Sequence, residues 1–336
     1  MKKYHVCGLG NALVDTEIEV SEKNLKDLGI EKGLMTLVDE ERQHFLQNNL
    51  SDHLVMSKRA CGGSAANTVI SLSQFGGKGF LSCKVADDEN GQFYMQDLID
   101  NGVDYNADAQ ISQGITGKCL VMITDDADRT MNTFLGISSE LATTDIDASA
   151  IEDSEYLYIE SYLVTGESSL NAVLEACDIA RQAGTKIALS LSDPGIVEYF
   201  RDALKSIVGD GVDLLFCNEQ EALSWCQTDD LDRALEQLQN SAAQFAVTLG
   251  SEGAVVFDGS DYLRAPAQPI TAVDTNGAGD MFAGAYLYGI TQGYSCLSSA
   301  VFANRAASAV VGQYGPRLHG AEYDGLKEGL KSFLGA

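Results

Sequence analysis

Apolar positions follow two rhythms along this chain. From residue 156 onward, short apolar blocks bounded by turn residues alternate with longer stretches of helical period. The blocks 156–160, 186–190, 213–217 and 244–249 read as buried strands, and 168–183, 195–208, 219–226 and 231–239 as the helices between them. Such alternation builds a mostly parallel sheet with helices on both faces. The first half adds strands at 4–10 and 79–85 and helices at 39–50, 64–75 and 92–101. Segments 16–20, 118–124 and 129–135 read as strands of the other kind, which alternate between two faces, and 16–20 shows it residue by residue. Asp125, Asp126, Ala127 and Asp128 between the last two make a hairpin signature. With the short block 34–38, these strands predict a small sheet, built from residues 14–38 and 115–137, that projects from one 1–336 unit and can act as a lid.

Composition narrows the partners. The 336 residues carry 22 Lys and Arg against 49 Asp and Glu, a formal charge of −27. A chain this acidic repels nucleic acid and anionic membrane surfaces. An anionic substrate would need a metal ion, helix N-termini or a few placed cations. The cysteines (Cys7, Cys61, Cys83, Cys119, Cys177, Cys217, Cys226 and Cys296) form no CxxC pair and sit in apolar runs, as in a reduced cytoplasmic protein without a zinc site or disulfide framework. The apolar stretch after Lys2 and Lys3 is short and broken by Asn11 and Asp15, unlike a signal peptide. No run approaches the roughly 18 apolar residues of a membrane span.

Candidate chemistry gathers at glycine-rich turns. Asp274, Thr275, Asn276, Gly277, Ala278, Gly279 and Asp280 lead into a helix-compatible run, 281–289. Free N–H groups at a helix start bind anions, and Asp280 there suits removal of a proton from an attacking hydroxyl, or a plain helix cap. Gly62 and Gly63 open a helix of small residues with Asn67 one turn in, which suits ligand oxygens or tight packing on the sheet. Asn11 and Asp15 follow the first strand, placed for ligand hydroxyls or for a turn. Arg129 on the hairpin either faces a polar substrate group or is solvated. Asn218 and Glu221 stand where a strand meets a helix and can hold Mg²⁺ through water or cap that helix. Thr248, Gly250 and Gly253 close the next strand in a turn able to pass near phosphates. Gly8 to Leu13 is an incomplete dinucleotide fingerprint, which leaves an NAD-dependent oxidoreductase as a distant alternative, and a Walker lysine loop is absent.

These motifs resemble the ribokinase-like (PfkB) family of sugar and nucleoside kinases. Gly62 to Asn67 is similar to its glycine-rich first motif, Asp274 to Asp280 to its second, and Asn218 to Glu221 to its NxxE element. The resemblance implies a three-layer α/β/α core with a β-sheet lid. It implies an ATP-dependent kinase with Asp280 as general base and the N–H groups of Gly277, Ala278 and Gly279 as an anion hole. Asn11, Asp15, Gly62, Gly63, Asn67 and Arg129 would then hold the acceptor. Asn218, Thr248, Gly250, Gly253 and Asn304 would line the ATP site, with Asn218 and Glu221 organising Mg²⁺. In some members carbonyls at the places of Asp274 and Thr275 bind a monovalent cation such as K⁺. Gly10 to Asp15, Arg129 to Gly136 and Leu191 to Pro194 look most like bacterial proteins called adenosine kinases. That points to adenosine as acceptor, with a ribokinase-like or 2-keto-3-deoxygluconate kinase-like sugar kinase as the alternative. Phe134 and Tyr162 are the aromatic candidates for stacking on a base. Monomer and homodimer through the lid both stay open.

Overall fold

The apolar blocks do form one sheet, and the alternating segments form another. The computed structural model describes residues 2–54, 58–106, 112–126 and 128–334, so Ala127 in the expected hairpin turn lies outside the described residues. In chain order the strands are β1 (Tyr4–Leu9), β2 (Leu13–Glu19), β3 (Met35–Leu37), β4 (Lys58–Gly62), β5 (Gly79–Ser82), β6 (Val103–Tyr105), β7 (Gly117–Ile123), β8 (Arg129–Phe134), β9 (Ser154–Glu160), β10 (Lys186–Ser190), β11 (Val212–Asn218), β12 (Ala242–Thr248), β13 (Ala254–Phe257) and β14 (Tyr262–Ala265).

The large sheet runs β14-β13-β12-β11-β10-β9-β1-β5-β6. It is parallel from β12 to β6, while β13 and β14 turn back antiparallel. Its strands are apolar on both faces because each face is covered. Val6, Tyr158, Leu214 and Phe216 point into a layer shared with helices Ser64–Gln74, Ala278–Thr291 and Cys296–Val311. Their neighbours Cys7, Ile159, Leu215 and Cys217 point into the opposite layer with helices Glu167–Ala183 and Arg201–Val208. This is the mixed α/β, ribokinase-like architecture. No described helix is long and apolar enough to cross a membrane.

The small sheet runs β3-β8-β7-β2-β4. Its outward face packs Ile18, Val20, Leu120 and Met122 on Leu25, Leu46 and Leu50 of the flanking helices. Its inward face presents Leu13, Cys119 and Met131. β4 was not legible in the alternation: it is one short edge strand, paired antiparallel with β2, that runs straight into the glycine motif. β6, β13 and β14 were missed for the same reason, being three or four residues long. The helix expected over 195–208 is two helices, Pro194–Tyr199 and Arg201–Val208, broken at Phe200. Gly8 to Leu13 passes directly from β1 into β2 with no helix, so the dinucleotide-binding turn is not formed.

Candidate active site

The C-terminal ends of β1, β9, β10, β11 and β12 open on one edge of the large sheet, where parallel sheets place their ligands. The small sheet lies across that edge and encloses a cavity of about 450 Å³. Asn11, Asp15, Gly63, Asn67, Arg129, Asn218, Glu221, Thr248, Gly250, Thr275, Gly277, Ala278, Gly279 and Asp280 all line it.

Asp280 stands at the centre. It lies in the first turn of helix Ala278–Thr291, which crosses helix Ser64–Gln74 so closely that a Cβ on Gly284 would overlap the Thr68 carbonyl. Glycine at that crossing lets the two helix starts meet. The Ser64 hydroxyl donates to Asp280 Oδ1 at 2.6 Å, and Asn67 Nδ2 donates to Oδ2 at 3.1 Å. Burial raises the Asp280 pKa, and the two hydrogen bonds and the Arg317 charge pull it back. The helix has a glycine N-cap, Gly277, at φ 69°, with no side chain to satisfy its first N–H groups. A Cβ there would meet the Pro316 backbone as well as the left-handed conformation. N–H groups without a side-chain cap and an adjacent carboxylate thus share one turn.

Around this turn one side of the cavity is built from carboxylates. Gly62 lies against the Asp15 carboxylate, with no space for a Cβ between them, and Gly63 caps helix Ser64–Gln74. Burial pushes Asp15 up to about 8, with Glu17 adding to the shift and Arg317 and Arg129 opposing it. Glu160, unforeseen from the sequence, ends β9 fully buried. It accepts from Asn11 N at 2.8 Å, Asn11 Nδ2 at 2.9 Å and Ala65 N at 2.8 Å. One carboxylate thereby ties the β1 loop to the glycine-motif helix. Burial pushes it up to about 7 against those donors. The signal was present: a carboxylate ending an otherwise apolar strand.

Arg129 is not solvated. It is buried on β8 and forms an ion pair with Asp274. Burial lowers its pKa to about 10 despite Glu17 and Asp15. Asp274, fully buried, also accepts from Gly315 N at 2.8 Å and Asn276 N at 3.2 Å. The Thr275 carbonyl accepts from Ala278 N at 3.3 Å.

On the opposite side, Asn218 and Glu221 form a reciprocal capping box. Asn218 Oδ1 accepts from Glu221 N at 2.8 Å, and Glu221 accepts from Asn218 N at 3.0 Å and Nδ2 at 2.7 Å. Burial pushes Glu221 up to about 7. Thr248 and Gly250 follow at the end of β12. Gly253 and Asn304 lie outside the cavity lining. Both act on the end of β14 and the residue after it: Gly253 packs against the Ala265 carbonyl, and Asn304 Nδ2 donates to Ala265 O at 2.8 Å and Pro266 O at 3.3 Å. Tyr162 lines the cavity, with its hydroxyl donating to Ser192 O at 3.4 Å, whereas Phe134 does not line it. Leu13, Met35, Leu37, Met131 and Leu135 complete an apolar wall on the lid side. Among the described residues, no three His, Cys, Asp or Glu side chains are grouped to hold a metal by themselves.

Known proteins share this fold. Sinorhizobium meliloti adenosine kinase superposes with a TM-score of 0.91 at 35% identity, covering 97% of this chain and 99% of that one. A probable sugar kinase from Rhizobium etli matches with the same TM-score at 34% identity, covering 98% and 100%. Adenosine kinase of Saccharomyces cerevisiae is 27% identical over 327 residues, 92% of this chain and 95% of its own. The family model described as pfkB family carbohydrate kinase matches residues 32–321. The chain therefore belongs to the PfkB family of carbohydrate kinases, phosphotransferases that act on hydroxyl groups of sugars or nucleosides.

Proposed function

We propose that this protein transfers the γ-phosphoryl group of ATP to a primary hydroxyl of a nucleoside, adenosine before others. The observation that carries the reading is the two-sided cavity. Asn11, Asp15 and Asp280 offer hydroxyl-binding groups on one side, and Leu13, Met35, Leu37, Met131 and Leu135 an apolar wall on the other. A ribose with an attached base has the same division of polarity. A free sugar would leave that wall against water, at about 25 cal/mol per Å² of apolar surface.

Asp280 takes the proton of the attacking hydroxyl. The new O–P bond forms as the bond from the γ-phosphorus to the bridging oxygen breaks, and ADP leaves with that electron pair. The N–H groups of Gly277 and Gly279, on either side of the Ala278 N–H that is given to Thr275 O, face the charge on the transferring group. Kinases of this family use ATP and generally a divalent metal. The oxygen donors of Glu221 and Asn218 suit Mg²⁺, and because Glu221 already accepts from Asn218 they fit a hydrated ion held through water. Bound there, the ion would offset phosphate charge.

A panel of adenosine, other nucleosides, ribose and 2-keto-3-deoxygluconate, with ADP formation as readout, tests the proposal. The expected kcat/KM for adenosine exceeds that for ribose by at least about 10²-fold. Equal or better use of a free sugar would replace the reading with a sugar kinase.

A further inference from the structure

Arg317 lies beyond both motifs, in the segment after helix Cys296–Val311, yet its guanidinium reaches three partners beside the base. Nε donates to Asn67 Oδ1 at 3.1 Å, Nη1 to Asp97 Oδ2 at 2.7 Å, and Nη2 to the carbonyl of Cys61 on β4. Asp97 Oδ2 also accepts from Cys61 N at 3.1 Å, so both backbone groups of Cys61 are held through this fork. An asparagine amide can sit either way round, and its neighbours decide which. A guanidinium has only donors. Facing Arg317, Asn67 must present its oxygen, and that turns its NH₂ toward Asp280 Oδ2. We propose that Arg317 is a positioning residue that locks the Asn67 amide, and through it the Asp280 carboxylate, in the orientation required for proton removal.

The inference rests on Asp280 being the base. The groups facing that carboxylate are Ser64 and Asn67 on their helix, Asp15 on β2, Tyr158 and Glu160 on β9, Tyr162 just beyond it, and Arg317. Arg317 alone of these brings positive charge to Asp280, and it draws the Asp280 pKa down. A residue that only packs would leave that titration where it is.

The test compares wild type, D280N, R317M, R317K, N67A and the N67A/R317M pair, by kcat, KM, thermal midpoint and the pH profile of kcat/KM. R317M is expected to lose about 10²-fold in kcat, the scale of a misplaced catalytic group, and to move the acid limb to higher pH. R317K keeps the charge without the fork, so the acid limb returns toward wild type while kcat stays about tenfold down. The double variant is expected to be no worse than its worse single, since both act through one contact. Wild-type kcat and acid limb in R317M, or losses that multiply in the pair, overturn the proposal. Should R317M not fold, R317K decides, and wild-type kcat there overturns it. Turnover retained by D280N would instead overturn the assignment of the base. The positioning role is then read from the Asp280 carboxyl titration by NMR of ¹³C-labelled protein, where an unmoved curve in R317M overturns it and an upward shift supports it.

Discussion

The two sides of the cavity are made of different material. The side proposed for the acceptor is a set of side chains already bonded to one another: Glu160 holds Asn11 and Ala65, Ser64 and Asn67 hold Asp280, and Arg317 holds Asn67. The side proposed for the phosphates is backbone, with the glycine-capped turn at Gly277 and the loop after β12. Bonded side chains fix hydroxyl positions with little reorganisation. Uncapped N–H groups at a helix start donate to whichever anion oxygen arrives. Under the proposed function, the difference separates discrimination between acceptors from rate: recognition on the first side, charge stabilisation on the second, with Asp280 belonging to both.

Replacing that shared residue should have the largest effect. D280N removes the base while keeping shape, and kcat is expected to fall by about 10³-fold or more, with the thermal midpoint near wild type. In wild type, kcat/KM is expected to rise with pH through an acid limb above the ordinary aspartate value of 3.8, because burial raises the Asp280 pKa and only the ionised form accepts a proton. Near-normal turnover in D280N would erase the division at its centre. G277A comes next. It adds a Cβ at φ 69° against the Pro316 backbone and tilts the free donors. Its kcat is expected to drop by about 10²-fold, with acceptor affinity by calorimetry unchanged. An equal loss of acceptor affinity would show that the two sides are not separable.

The smallest effect is expected on the acceptor side. E160Q presents an NH₂ where the carboxylate accepts from Asn11 and Ala65, leaving a buried donor unpaired at about 1–3 kcal/mol. Acceptor KM is expected to rise about tenfold with kcat for bound substrate little changed. The same variant should alter the pH dependence of stability. Folding raises the Glu160 pKa from its ordinary 4.5 to about 7, so the folded protein holds that proton more tightly. Its stabilising contribution is whole below about pH 4.5 and is lost as pH climbs to about 7. Thermal midpoints of E160Q should therefore fall less steeply than wild type across that window. A parallel fall would mean that Glu160 is not the titrating group.

Much of the fold was legible because burial writes itself into local pattern. Strands covered on both faces must be apolar throughout, as at β9 to β12 and also at β7 of the lid, whose outer face is covered by the flanking helices. The short strands β4, β6, β13 and β14 have too few positions to show a period. The glycine turns at 62–63 and 277–279 were legible too, since close approach and a left-handed φ exclude other residues wherever they occur.

What the sequence by itself determined, then, is the layered core, the alternating lid and the places where backbone would meet a ligand, because each depends on neighbours along the chain. Only the tertiary structure decided the wiring between those places. Glu160, Arg317 and the Arg129–Asp274 pair join residues 95, 250 and 145 positions apart along the chain, and nothing in a local pattern records such a partner. Arg129 could have been one more solvated cation, and nothing near Asn304 in the sequence records that its amide meets the Ala265 carbonyl. Charge and hydrogen bonding act through space, and the fold alone sets those distances.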